Sequence, residues 1–113
     1  MARAIGDDVA TAAHQRQALA RQRVRTWLGS DAVAVIPSAA SVAPMRDASA
    51  QEVDQIRART FRITSIAGLC GLPQVSIALR ATNGLPIGVS LLGPAGSDLA
   101  LIRLAIRLAQ SLE

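Results

Sequence analysis

Few stretches of this chain have a face to spare for water. Residues 32–36 (AVAVI) form a short, wholly apolar, β-branched-rich run, which predicts a buried strand. Residues 74–80 (QVSIALR) and 86–92 (PIGVSLL) predict two more strands. Between them lies Ala81-Thr82-Asn83-Gly84, a turn sequence in which Asn-Gly readily takes positive φ, so the pair is expected to form a hairpin over 74–92. In the last predicted helix, 97–112, only Arg103, Arg107 and Gln110 make a polar stripe, and aliphatic residues occupy the remainder. Strands apolar on both faces need cover on two sides. A helix this apolar needs burial over most of its circumference. The chain has 113 residues, one domain's worth, and a domain of that size buries only about 60–70% of its unfolded surface. One hairpin and three helices are too little to cover such strands, so the sequence implies packing against something else or membership of a larger fold.

Two further helices complete the expected elements. Residues 9–28 are helical in pattern, with Val9, Ala13, Ala20, Val24, Trp27 and Leu28 as the expected inner stripe. Gly29-Ser30-Asp31 ends that helix. Residues 37–47 (PSAASVAPMRD) form a loop punctuated by two prolines. The next helix, 49–69, starts with Ser49 as cap and Glu52 at the capping-box position, and its inner face is Val53, Ile56, Thr60, Ile63 and Ala67. Gly68 and Gly71 close it, and Pro73 forbids continuation. Ser97 or Asp98 caps the last helix. The class is α/β, with three short strands and about three helices.

Composition excludes several functions. Half the residues are apolar and 18% are charged, which rules out a disordered tail. One cysteine excludes a disulfide scaffold. No apolar run approaches the ~18 residues of a membrane span, and the N-terminus lacks a secretory signal pattern, so no membrane partner and a cytoplasmic location are expected. All 12 basic residues are Arg, so no mechanism that needs a lysine base, Schiff base or phosphate clamp is complete within the chain.

The remaining chemical candidates are weak. His14, the sole histidine, lies on the polar side of its helix and reads as a surface residue. Cys70 reads as a small buried filler rather than half of a His–Cys nucleophile pair. With one Cys, one His and eight scattered carboxylates, no metal-ligand spacing exists, and no cofactor is implied. Gly93-Pro94-Ala95-Gly96-Ser97 lacks the Lys and the glycine frame of a phosphate loop. Asp47, Glu52 and Asp54 suit a solvated helix face. The clusters Arg21-Arg23-Arg25 and Arg57-Arg59-Arg62 raise nucleic-acid binding, but Trp27 and Phe61 are the only aromatics and provide no stacking platform, so no nucleic-acid partner is expected.

One long stretch is more specific. Residues 64–77 read TSIAGLCGLPQVSI. They are followed by Gly84-Leu85-Pro86-Ile87-Gly88-Val89-Ser90-Leu91-Leu92-Gly93-Pro94 and by Asp98-Leu99-Ala100-Leu101-Ile102. Upstream stand Asp31-Ala-Val-Ala-Val-Ile-Pro37-Ser38 and the Ala43-Pro44 pair. The order and spacing of these pieces resemble the C-terminal part of the amidase signature family, over most of the chain from Arg21 to Leu112. The resemblance implies the C-terminal portion of a mixed-sheet α/β fold and, for the complete enzyme, hydrolysis of a small amide by a serine nucleophile, a bridging serine and a lysine base. The chain has no Lys and no glycine-serine-rich nucleophile loop, and Ser38 and Ser41 stand in a different context, so no catalytic residue is carried over. The resemblance places Pro37, Ser38 and Pro44 at the border of the substrate pocket. It implies a segment that is inactive alone and that associates with the missing N-terminal amidase portion or with itself. The alternative is a non-catalytic partner-binding protein derived from an amidase tail.

Overall fold

The computed structural model describes residues 4–113. Its elements run α1 (Asp7–Leu28), β1 (Ala34–Pro37), α2 (Ala50–Cys70), β2 (Gln74–Arg80), β3 (Pro86–Leu92) and α3 (Asp98–Ser111). The strands form one sheet in the order β1-β3-β2, antiparallel at both pairings. The β2–β3 hairpin turns where Gly84 takes φ 82°, and Asn83 Oδ1 accepts the Leu85 N–H at 3.2 Å. β1 begins at Ala34 rather than Ala32, because Ala34 is the first residue with a partner on β3, Leu92.

Strand alternation gives the sheet two unlike faces. On one, Ile77 and Leu91 pack with Leu101 and Ala105 of α3, flanked by Val75, Leu79 and Val89. On the other, Leu92 meets Leu28 of α1 and Cys70 and Leu72 at the end of α2. The buried contact of α1 and α2 with the sheet thus lies at its Leu92 end.

Local chemistry sets the helix boundaries. Ser49 and Glu52 form the expected capping box: the Ser49 hydroxyl accepts the Glu52 N–H at 3.2 Å, and Glu52 Oε2 accepts the Ser49 N–H at 2.8 Å. Gly71 ends α2 in the left-handed conformation, φ 63° and ψ 44°. Gly68, expected to share that role, stays inside the helix. Ser97 precedes α3, but its hydroxyl donates backwards to the Pro94 carbonyl at 2.6 Å and caps no helical N–H. Asp98 supplies the negative charge in the first turn.

The inner stripe expected for α1 is largely absent. Val9 is 59% and Trp27 74% exposed, and of the six expected residues only Val24 and Leu28 join the core. The reason is contact length: α2 meets α1 along its later turns, through Gln17, whose Nε2 donates to Leu69 O, and through Arg25. The five residues expected inside on α2 are all half-buried.

The whole is a slab of 50 × 44 × 20 Å with a radius of gyration of 16.9 Å. A compact domain of this length has a radius near ~13 Å. The accessible surface is 8745 Å². A compact monomer of the same mass exposes about 5,900 Å². The extra surface includes Leu99, Ile102 and Ile106 along α3, Val35 on β1 and Phe61 on α2.

Candidate functional site

Pro37, Ser38 and Pro44 bracket the loop that leaves β1. Pro37 is exposed and closes the strand opposite Val89. Ser38 extends the pairing by one bond, its N–H donating to Gly88 O at 3.1 Å. The loop then crosses to α2, where the Ala40 N–H donates to Thr60 Oγ1 at 3.1 Å. Pro44 lies further along, exposed, on an open cleft of about 610 Å³. Val42, Met45, Ile56 and Leu85 make much of its wall apolar, and Asp47 and Arg59 add charge. Of the three expected residues, only Pro44 lines this cleft; Pro37 and Ser38 form the root of its loop.

Three hydroxyls lie in a row across the sheet beside that root. Ser90 Oγ is 2.7 Å from Ser38 Oγ and 2.8 Å from Ser76 Oγ, and Ser90 is completely buried. Gly88 makes room for the first contact: a Cβ there would come within 2.8 Å of Ser38 Oγ and 2.9 Å of Ser38 Cβ. The group that the missing side chain at Gly88 admits is the Ser38 side chain.

Arg25 has a role that the charge clusters concealed. Its Nε donates to Cys70 O at 3.0 Å and its Nη2 to Gly71 O at 3.2 Å, which satisfies carbonyls at the negative end of α2. The Cys70 thiol is buried among Leu28, Leu72 and Leu92, whereas His14 is exposed on α1, so no nucleophile–base pair forms. The turn before α3 borders a separate cleft of about 390 Å³ with Arg25 and Leu72. Among the described residues no three potential metal-ligating side chains converge. No helix there is long and apolar enough to cross a membrane.

No family model matches the chain. Curated relatives do. Amidase 1 of Arabidopsis thaliana is 40% identical over 84 residues, 74% of this chain and 20% of that protein. Amidase 1 of Oryza sativa subsp. japonica is 40% identical over 80 residues, 71% of this chain and 18% of that protein. Among solved structures, the S177A form of Kluyveromyces lactis allophanate hydrolase superposes with a TM-score of 0.80 over 96% of this chain and 18% of its own, at 24% identity. A glutamyl-tRNA(Gln) amidotransferase polypeptide from Thermotoga maritima superposes with a TM-score of 0.66 over 88% of this chain and 22% of its own, at 18% identity. The chain is thus, in sequence and in fold, a counterpart of the C-terminal portion of the amidase-signature enzymes, spanning about a fifth of the length of the relatives it matches.

Proposed function

We propose that this chain is the C-terminal segment of an amide hydrolase. It contributes sheet, helices and the loop bordering the substrate pocket, and it does not hydrolyse amides alone. The observation that carries this reading is the 40% identity to amidases over 84 residues. The chemistry agrees. The chain holds no Lys, and Ser90, the one buried member of the serine row, has the hydroxyls of Ser38 and Ser76 as its partners and no base between them. The partner is the missing N-terminal amidase portion, and without it the chain associates with itself. Pro37, Ser38 and Pro44 then border a site for a small amide, with no nucleic acid or membrane involved and a cytoplasmic location.

The test is hydrolysis of simple aryl and alkyl amides by the purified chain, alone and together with the N-terminal portion of an amidase-signature enzyme. The expected outcome is no turnover alone and turnover in the mixture. Turnover by the chain alone that survives substitution of Cys70 and His14 by Ala would overturn the reading. A mixture in which the two pieces bind without turnover favours the partner-binding alternative.

A further inference from the structure

The buried hydroxyl of Ser90 belongs to no catalytic pair, yet it sits where the pocket-border loop leaves the sheet. We propose that Ser90 is a positioning residue for the 38–48 loop, acting through Ser38. This rests on the reading of that loop as a pocket border.

A serine hydroxyl carries one proton and accepts through its lone pairs. Ser90 is completely buried, and its oxygen has two neighbours, Ser38 Oγ at 2.7 Å and Ser76 Oγ at 2.8 Å. It is fully satisfied when it donates to one and accepts from the other, because an unmade bond in a dry site is costly. Ser38 is thereby fixed to the central strand from its side chain as well as through its backbone N–H on Gly88 O. Two residues later the Ala40 N–H is held by Thr60 of α2. The loop root is therefore clamped between sheet and helix before it runs on to Pro44. Gly88 contributes by absence, since a side chain there would occupy the space Ser38 needs. Ser76 lies at the far end of the row, and its hydroxyl hydrogen-bonds to Ser90 rather than to Ser38.

Amide hydrogen exchange of the complete chain tests this without any substrate, so the result is independent of whether the chain serves an amide hydrolase. The reporters are the Ser38 and Ala40 amides, with amides of the β2–β3 hairpin as internal reference. Ser90→Ala and Ser38→Ala are each expected to speed exchange at the reporters about five- to tenfold, the loss of one hydrogen bond's local protection, while leaving the reference unchanged. The double variant is expected to add nothing to either single one. Ser76→Ala is expected to leave the reporters unchanged, and Ser38→Thr, which keeps the hydroxyl, to retain wild-type protection. If Ser90→Ala loosens the whole sheet, Ser38→Ala carries the comparison. Unchanged exchange in Ser38→Ala, additive effects in the double variant, or equal loosening by Ser76→Ala would overturn the proposal.

Discussion

Gly88 shows how a single missing atom organises a neighbourhood. The Ser38 side chain lies over its Cα, and the hydroxyl thereby reaches Ser90. Gly88→Ala forces Ser38 to move or the strands to part. Overpacking of this kind costs about 1–3 kcal/mol, so urea unfolding of this variant should show a midpoint below that of the unsubstituted chain. A midpoint equal to or above it would mean the notch is unnecessary. The hydroxyl row was partly legible in the sequence. Ser76 and Ser90 lie equally far from Asn83, the centre of the hairpin turn, and that spacing pairs them. Ser38 was not legible as their partner, because its position depends on the register of β1 against β3, set by contacts between segments far apart in the chain. Arg25 was hidden for a similar reason: a basic residue in an Arg-rich helix reads as solvated surface until the end of α2 is placed against it.

At the scale of elements, short-range chemistry specifies more than amphipathic pattern does. The capping box at Ser49 and Glu52 and the left-handed Gly71 mark the ends of α2 closely, since their partners lie within a turn. The stripe of α1 fails as a guide because much of that helix has nothing in this chain to bury it. Ser49→Ala removes the side-chain half of the capping box. It should cost about 1 kcal/mol and fray the first turn of α2, where exchange at the Glu52 amide would report it. Unaltered stability and unaltered protection at that amide would show that the box contributes nothing. The loop from Ser38 to Pro44 is tethered at its root and carries Pro44 to a largely apolar cleft.

For the molecule as a whole, shape is the decisive quantity. A radius of gyration of 16.9 Å and a surface of 8745 Å² belong to a slab, not to a closed domain. The surplus over a compact monomer, roughly 3,000 Å², is of the size that obligate interfaces bury. Sequence alone indicated this surplus through strands and a final helix with too little polar surface, and the structure shows where much of it lies, on α3, β1 and the first turns of α1. On the proposed function, these faces are covered by the remainder of an amide hydrolase. Light scattering of the purified chain across a range of concentrations tests it most directly. The expected masses are multiples of 11.8 kDa that rise with concentration, and the assemblies are expected to dissociate when the N-terminal amidase portion is added. A monodisperse species of 11.8 kDa at all concentrations, indifferent to that addition, would contradict it.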